Sequence, residues 1–426
     1  MGILISNTLA ILPNGCDHEV ARHDIYVDKT NIVGIDEAPQ GFVATQTIDG
    51  TRRLTIPGLI NAHTHTYMSM MRNVADDLSF PDWLFGTIEP IEDRLEPEDS
   101  YWASLLSQIE MIRTGTTCFN DMQMHIDQTT RAVEESGMRA VICRGLVGDT
   151  YARSDFRIAE ALAEMERWSA CTRLTFRLGP HAPYSCGPDY LRLVADVARE
   201  RGLGIHIHIA ESQSETDGIW SDHHCTPVEY VQAAGIFDVP TIAAHCIRVS
   251  ASDRQILASC GVSVATNPAS NMKLGNGFAP VPELMEAGVN VCLGTDGAAS
   301  NNAQNMFREL GLLALIHKGT HDTPQCVSAS EALSMATANG ARALGLPCGT
   351  IEVGKRADLT LLDLDAPSLT PLHNAVAALA YSAGGSEVCD VIIDGRPVMR
   401  NRELLTIDEE RVRHEVSRIC HRLGLA

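Results

Sequence analysis

The chain has 426 residues, of which 45% are hydrophobic and 20% charged, a composition typical of folded globular proteins and unlike that of disordered or membrane proteins. Its 33 basic residues are outnumbered by 54 acidic ones, and a formal charge of −21 disfavours nucleic acid and anionic membranes as partners. The 13 cysteines include no C-x-x-C pair. This pattern argues against a disulfide framework or a zinc ribbon and favours a reducing cytoplasm.

In chain order, the first predicted element is an apolar run over residues 2–12, which is too short to span a bilayer and is interpreted as a strand. From residue 54 onward, short apolar runs alternate with stretches that carry helix start and stop signals, such as Pro97 to Gly115 and Pro188 to Gly202. This alternation predicts βα units around a parallel sheet. The predicted strands are residues 54–65, 116–122, 139–146, 173–183, 204–211, 241–246, 262–268 and 290–296.

Eight such units match a (β/α)8 TIM barrel, an α/β fold. Both ends of the chain contain further short strands separated by turns, and chain termini often lie close together. We therefore predict a barrel over residues 57–349 and one small composite β-sandwich formed by residues 1–56 and 350–426.

Metal-type ligands stand at the ends of four predicted strands, where a barrel gathers its chemistry at one mouth. His63 and His65 close the first strand, and their spacing of two places both imidazoles on one face. The fifth, sixth and eighth strands end near His208, His245 and Asp296. A hydrogen-bonded core pair would explain His63 and His65 alone, but the whole set favours a divalent metal.

Two residues near His208 need separate treatment. His206 shares a face with His208 but lies deeper in the barrel, so we predict a core histidine rather than a ligand. Glu211 lies three residues beyond His208 and out of phase with the strand. It reaches the same site only if the chain turns after Ile209.

Several segments together resemble the amidohydrolase superfamily, in its deaminase and triazine-hydrolase branch. The resemblance covers nearly the whole chain and implies a metal-dependent hydrolase built on a (β/α)8 barrel. The segments that carry it are PGLINAHTH (57–65), HIHIAES (206–212), AAHC (243–246), LGTD (293–296), GKRADL (354–359) and IDG (393–395).

This resemblance also implies roles for particular residues. The metal ligands would be His63, His65, His208 and Asp296, with His245 contacting the attacking water and Glu211 shuttling protons. Two-metal relatives use a carboxylated lysine from the fourth strand, and residues 173–183 contain no lysine. We therefore expect one divalent metal per chain, zinc before iron, since imidazole suits both metals. Glu211 would protonate a ring nitrogen while Asp296 accepts a proton from water.

Residues 76–94 are similar to the family of 5′-methylthioadenosine/S-adenosylhomocysteine deaminases. This similarity implies that Glu92 holds the ribose hydroxyls and that His181 contacts the substrate. A solvated Glu92 paired with Arg94 and a core His181 are the alternatives. Trp83 would pack on the adenine or the thioether, although a tryptophan in an amphipathic stretch is more often part of a core.

The same resemblance implies an arginine that contacts the substrate tail. Arg144 matches it, and in that family a neighbouring subunit lends this residue, which implies a homo-oligomer. Arg157 matches a second such arginine by its distance to Trp168, with Arg153 as a rival.

We therefore predict a cytoplasmic, zinc-dependent deaminase with a small-molecule substrate and no nucleic-acid or membrane partner. It would convert the adenine of 5′-methylthioadenosine, S-adenosylhomocysteine or a related adenosine to hypoxanthine and release ammonia. One alternative is a triazine, guanine or pterin deaminase or hydrolase with the same metal site. The other is a decayed barrel that only binds ligands, although all the predicted ligands and Glu211 are present.

Overall fold

The computed structural model describes residues 2–15 and 17–425. Over this part of the chain, eight parallel strands form a barrel and a separate mixed sheet is built from both ends of the chain. The predicted fold class is therefore confirmed. None of the described helices combines the length and apolar character that crossing a membrane requires.

The strands follow one another from the first described residue to the C-terminal region. They are β1 (Gly2–Asn14), β2 (Asp17–Asp28), β3 (Asn31–Ile35), β4 (Gln46–Asp49), β5 (Arg53–Pro57), β6 (Leu59–Thr64), β7 (Thr116–Gln123), β8 (Arg139–Leu146), β9 (Leu174–Pro180), β10 (Gly204–Ile209), β11 (Thr241–His245), β12 (Ser263–Thr266), β13 (Asn290–Leu293), β14 (Leu359–Asp363), β15 (Val388–Ile393), β16 (Arg396–Arg400) and β17 (Glu403–Leu404).

The helices mostly connect successive barrel strands. A π-helical segment over Leu84–Ile88 joins the first two helices. They are α1 (Phe80–Trp83), α2 (Glu89–Glu92), α3 (Pro97–Arg113), α4 (Ile126–Ser136), α5 (Phe156–Arg167), α6 (Pro188–Arg201), α7 (Gln213–His223), α8 (Pro227–Ala233), α9 (Ala251–Ser259), α10 (Pro268–Lys273), α11 (Val281–Glu286), α12 (Ala298–Asn301), α13 (Met306–Thr320), α14 (Ala329–Met335), α15 (Ala338–Leu344), α16 (Ala375–Tyr381) and α17 (Glu409–Leu423).

The barrel strands β6 to β13 lie side by side in chain order, and adjacent strands pair in parallel. The last strand returns to the first, where the Asp296 N–H donates to the His63 carbonyl at 2.9 Å. Small and β-branched side chains such as Ala62, Val141 and Ala265 fill part of the interior. Because all the strands run the same way, their C-terminal ends open at a single mouth.

The terminal sheet runs in the order β17-β16-β15-β14-β5-β1-β2-β3, with β4 paired to β1. The predicted strand over residues 54–65 is divided between this sheet and the barrel, because Arg53–Pro57 pairs with β14 while Leu59–Thr64 pairs with β7. The chain passes from one sheet to the other at Gly58. A Cβ on Gly58 would lie 2.1 Å from Thr117 Oγ1, so only glycine fits at this crossing.

A buried ion-pair cluster joins the barrel to the terminal sheet. Arg139, at the start of β8, donates from Nε to Asp358 Oδ2 at 2.8 Å and from Nη2 to Asp394 Oδ1 at 2.9 Å. Arg139 and Asp358 are each 3% exposed. The barrel and the terminal sheet are therefore linked in two ways. Buried ion pairs join them through side chains, and the chain itself passes from one to the other at Gly58.

Candidate metal and active site

Side chains from four barrel strands meet at the C-terminal mouth. Ligand atoms of His63, His65 and His208 lie within 4.8 Å of one another, as do those of His63, His245 and Asp296. Strand β6 carries His63, β10 carries His208 and β11 ends at His245. The structure therefore brings together the five residues that the sequence singled out as ligands and water contact.

The orientation of two imidazoles suits a bound cation. His65 Nδ1 lies 3.0 Å from the Met122 carbonyl and His208 Nδ1 lies 2.7 Å from the His181 carbonyl, so each Nδ1 donates and each Nε2 carries a lone pair. The two Nε2 atoms face each other at 3.2 Å. Burial lowers the pKa of His208 well below its usual value, so a shared proton is disfavoured. A cation held by both nitrogens would relieve the repulsion between their lone pairs.

His63 offers a further free nitrogen to the same point. Its Nε2 is buried and has no hydrogen-bond partner among the described residues, although Asp296 Oδ1 lies 3.3 Å away. Burial lowers the pKa of His63 to about 4, so the imidazole is neutral at physiological pH. Three imidazoles and one carboxylate form a donor set that zinc and related divalent metals accept.

Asp296 is held as an anion by its neighbours. Its Oδ2 accepts hydrogen bonds from Ser270 Oγ at 2.6 Å and Ser300 Oγ at 2.8 Å, while Oδ1 faces His63 and His65. Burial alone would raise the pKa of Asp296, but the adjacent His63, His245 and His65 side chains hold this pKa well below its usual range. The carboxylate is therefore available both to bind a cation and to accept a proton.

Glu211 reaches the site because the chain turns after Ile209, as the sequence analysis required for this residue. Its Oε2 lies 3.8 Å from His245 Nε2, and its Oε1 accepts a hydrogen bond from Asn276 Nδ2 at 3.3 Å. Burial and the charge of Asp296 raise the pKa of Glu211 well above its usual value. A carboxyl group with a raised pKa beside this cluster of metal-type ligands can act as a proton donor.

Three site segments adopt left-handed backbone conformations that residues other than glycine rarely take. The φ angles are +53° at Ala210, +70° at His245 and +63° at Asp296. Each of these residues lies at or just beyond the end of a barrel strand. Such strain tends to cluster at functional sites, where packing holds it in place.

A cavity of about 310 Å³ opens onto this ligand cluster and is lined by His65, His208, His245 and Asp296. Glu211, Glu92 and His181 line the same cavity. A cavity with convergent polar groups at one end and apolar walls suits a small organic ligand. The apolar wall contains Met68, Phe80, Trp83, Leu84, Met122 and Val147.

The predicted substrate contacts on the walls are anchored by neighbours. Glu92 Oε1 accepts a hydrogen bond from the Tyr67 hydroxyl at 2.6 Å, and burial raises the pKa of this carboxyl. His181 Nδ1 lies 2.9 Å from Ser185 Oγ, which leaves Nε2 for the cavity. Burial lowers the pKa of His181 to about 4, so its imidazole is neutral.

Trp83 belongs to the core and also lines the cavity, the two alternatives that the sequence offered for it. Its side chain is buried, and its indole N–H donates to the Ala299 carbonyl at 3.3 Å. One face of the residue nevertheless lines the cavity. It therefore contributes to the core and to the ligand wall together.

The three candidate arginines are not among the described residues that line the cavity of this single chain. Each contacts a nearby side chain instead. Arg144 donates to Glu160 Oε2 at 2.7 Å, Arg153 donates to Glu200 Oε2 at 2.7 Å, and the Arg157 guanidinium lies 4.8 Å from the centre of the Phe156 ring.

Sequence reasoning missed three side chains that orient the site, two from helix α10, which follows β12, and one from the segment just beyond this helix. Ser270 contacts Asp296, and Asn271 Oδ1 accepts a hydrogen bond from His245 Nδ1 at 2.9 Å. Asn276 contacts Glu211. The sequence signal that could have identified them is the group of polar residues just after the seventh predicted strand, residues 262–268. Segments that follow a barrel strand lie at the mouth of the barrel.

The barrel mouth, with its histidine and carboxylate cluster and a buried acid, defines a metal-dependent hydrolase. An amidohydrolase family profile matches residues 54–398, and the chain belongs to this family. An adenosine deaminase from Xanthomonas campestris with bound zinc superposes with a TM-score of 0.93 at 32% identity, covering 100% of this chain and 99% of that one. The cluster and this zinc-bound relative together support a divalent metal here.

Within the amidohydrolases, the chain belongs with the 5-methylthioadenosine/S-adenosylhomocysteine deaminases. The so-named protein of Thermoanaerobacter pseudethanolicus is 44% identical over 423 residues, covering 98% of each chain. That of Acetivibrio thermocellus is 45% identical over 433 residues, covering 99% of this chain and all of the relative. An atrazine chlorohydrolase from Arthrobacter aurescens, at 24% identity and a TM-score of 0.91, shares the fold.

Proposed function

We propose that this chain hydrolytically deaminates the adenine of 5′-methylthioadenosine, S-adenosylhomocysteine or a related adenosine. The observation that carries the proposal is one cavity that is lined by metal-type ligands, by Glu211 with its raised pKa, and by Glu92. A carboxylate accepts two hydrogen bonds and therefore suits a ribose diol. The names of the relatives agree with this substrate class.

We further propose one zinc per chain, bound by His63, His65, His208 and Asp296. When bound, such a metal lowers the pKa of water toward about 7 and so supplies hydroxide at neutral pH. The absence of a lysine from β9 agrees with a single metal. The other steps of the reaction fall to side chains of this chain.

The proton transfers follow from the two carboxyl groups. Glu211, as the acid, protonates the ring nitrogen next to the amino-bearing carbon, while Asp296 accepts a proton from the attacking water. His245 donates from Nδ1 to Asn271, which leaves its Nε2 to contact that water. The water oxygen bonds to the amino-bearing carbon, and Asp296 passes the proton it accepted to the amino group. The carbon–nitrogen bond then breaks and ammonia leaves. The proton of the new hydroxyl group returns to Glu211, so one water has been consumed for each hypoxanthine product.

Substrate positioning is assigned to the walls of the cavity. Glu92 holds the ribose hydroxyls, His181 presents Nε2 to the base, and Trp83 packs on the adenine or thioether. The apolar lining around Trp83 supports this arrangement, because the thioether and the ring faces are apolar.

For the substrate tail we propose that a neighbouring subunit of a homo-oligomer lends Arg144, with Arg157 or Arg153 as the second arginine. Mixing Arg144→Ala subunits with Glu211→Gln subunits should restore activity on S-adenosylhomocysteine, because some mixed sites regain both residues. Activity no higher than that of the separate variants would contradict the proposal that a neighbouring subunit supplies Arg144.

A cytoplasmic location and a domain division near residues 56 and 350 stay predictions.

The substrate proposal is tested by ammonia release from 5′-methylthioadenosine, S-adenosylhomocysteine, adenosine and adenine, with the accompanying ultraviolet change. Glu92→Ala should lose about 1.5–3 kcal/mol of transition-state binding for the nucleosides, the usual size for charge-assisted hydrogen bonds. Free adenine, which lacks ribose, should be indifferent to the change. Measurement of kcat/KM for each substrate checks this difference.

Glu89→Ala is the matched control, because Glu89 lies on the same helix α2 and also lines the cavity. It should leave the ratio of nucleoside to adenine turnover nearly unchanged. If the wild-type enzyme attacks a triazine, guanine or pterin and none of the nucleosides, the substrate assignment is wrong while the metal chemistry survives.

A further inference from the structure

The segment that carries Glu211 into the cavity leaves β10 through a strained turn. Ala210 has a φ of +53° and its side chain is fully buried. Residues with a Cβ rarely adopt this conformation, so the surrounding contacts must hold it. On one side, the Ala210 carbonyl accepts hydrogen bonds from the backbone N–H groups of Ile247 and Arg248, both at 2.9 Å.

On the other side of this turn lies the carboxylate of Glu215, which is 4% exposed. Its Oε1 accepts a hydrogen bond from the Ala210 N–H at 2.8 Å, and its Oε2 accepts one from the Glu211 N–H at 2.9 Å. Each oxygen therefore serves one of two consecutive peptide groups. These are the peptide groups that set the direction in which Glu211 leaves the strand.

Glu215 departs from the usual behaviour of a carboxylate at its position. It is the third residue of α7, where a glutamate ordinarily bonds the N–H of the N-cap residue. The N-cap Ser212 does accept from the Glu215 N–H at 3.1 Å, but the Glu215 carboxylate reaches past Ser212 to the two residues before it. Ordinary capping boxes occur in this chain at Thr226/Glu229, Ser250/Asp253 and Ser328/Glu331.

We propose that Glu215 is a positioning residue that holds the Ala210 turn and thereby aims the carboxyl of Glu211 at the reacting ring. The inference rests on the proposed function, in which Glu211 carries the protons. An amide at position 215 keeps the size of the side chain but can accept only one of the two hydrogen bonds. Its NH₂ group would face the other peptide N–H, donor against donor.

Glu215→Gln is therefore the informative variant. On the nucleoside that the wild-type enzyme turns over best, kcat should fall about 10–100-fold, because a small misplacement of a reacting group is costly. The KM should change less than about twofold, and metal content should stay at the wild-type value, because the substrate walls and the ligands are untouched. A loss confined to KM would overturn the proposal.

A double-variant cycle separates positioning from general structural support. If Glu215 acts through Glu211, adding Glu215→Gln to Glu211→Gln should lower kcat by less than about twofold further, since the two residues share one effect. If the two losses multiply instead, the proposal fails. This outcome does not depend on how much either single variant lowers the melting temperature.

Asp253→Asn is the matched control, because Asp253 is another buried carboxylate that accepts a backbone N–H at a helix start, from Ser250 at 2.8 Å. It should lower the melting temperature but keep kcat within about twofold of wild type, since its hydrogen-bond partners Ser250 and Thr226 are not among the described residues that line the cavity. A kcat loss like that of Glu215→Gln would mean that any weakened helix start impairs turnover, and would overturn the proposal.

Failure of the proposed function is distinguishable from failure of this inference. If the wild-type protein releases ammonia from none of the nucleosides, the proposed function fails. The crystal structure of Glu215→Gln then decides the positioning claim. A displaced Glu211 carboxyl supports it, and an unmoved one overturns it.

Discussion

The surroundings shift the pKa values of two carboxyl groups in the same cavity in opposite directions. Burial and the charge of Asp296 raise the pKa of Glu211, while His63, His245 and His65 hold the pKa of Asp296 down despite its burial. Environments that push two pKa values apart are how one site supplies both an acid and a base at neutral pH. These opposite shifts agree with the roles proposed above, in which Glu211 donates a proton and Asp296 accepts one.

Glu211→Gln should lower kcat by at least the roughly 10²-fold typical of general acid–base residues while retaining metal and fold. Because Glu211 acts in its protonated form and its pKa is raised, wild-type kcat should fall as the pH rises through that pKa. The pH profile of kcat, with elemental analysis of the variant, checks both statements. Turnover near the wild-type value in Glu211→Gln would exclude Glu211 as the proton carrier.

Strand β10 shows how one element gives two histidines different surroundings. His206 and His208 are two residues apart and share a face, but His206 lies deeper, with Nε2 2.9 Å from His63 Nδ1 and Nδ1 3.1 Å from Asn120 Nδ2. His208 instead presents Nε2 to the mouth, opposite His65. Depth along the strand therefore places His206 against His63 and Asn120 in the interior and places His208 at the mouth.

His63→Ala or His65→Ala should remove both metal and activity, whereas His206→Ala should keep most of its metal. The His206 variant should bind metal about 10–100-fold more weakly, because the contact that orients His63 is lost. Elemental analysis of protein purified without added metal, followed by metal titration, checks the order. Complete metal loss in His206→Ala would make His206 a ligand, and two metals per wild-type chain would contradict a single-metal site.

The barrel and the terminal sheet are joined by charges that water does not reach. Arg139 contacts Asp358 and Asp394, which lie near the C-terminal end of the sequence but beside β8 in space. A buried ion pair adds little stability by itself, but removal of one partner leaves an uncompensated buried charge. This cluster therefore ties the N-terminal end of β8, which lies opposite the mouth of the barrel, to the part of the terminal sheet that comes from the C-terminal end of the chain.

Arg139→Ala should therefore destabilise the fold by about 3–5 kcal/mol, the usual cost of breaking a buried pair. Arg192→Ala, which breaks the exposed pair with Asp189, should cost no more than about 1 kcal/mol. The midpoints of urea unfolding for the two variants and the wild type check this difference. Equal shifts for Arg139 and Arg192 would mean that the buried cluster contributes no more than a surface pair.

Local patterns in the sequence were sufficient to predict the barrel, the approximate bounds of its strands and the metal-type residues at the strand ends. The predicted strand over residues 139–146 coincides with Arg139–Leu146, and the predicted helix limits at Pro97 and Pro188 match the starts of α3 and α6. These features were predictable because strand alternation, helix signals and polar strand ends arise within a few neighbouring residues. The roles of the individual site residues stay predictions.

The tertiary structure alone decided where residues far apart in the chain meet. It divided the first predicted strand at Gly58, because only packing against Thr117 reveals the crossing between sheets. It placed Ser270 on Asp296, and it kept Arg144 outside the cavity of the single chain. It also placed the Glu215 carboxylate on the turn at Ala210. The periodicity of a sequence determines which face of an element is buried, but contacts between distant elements depend on how these elements pack against one another.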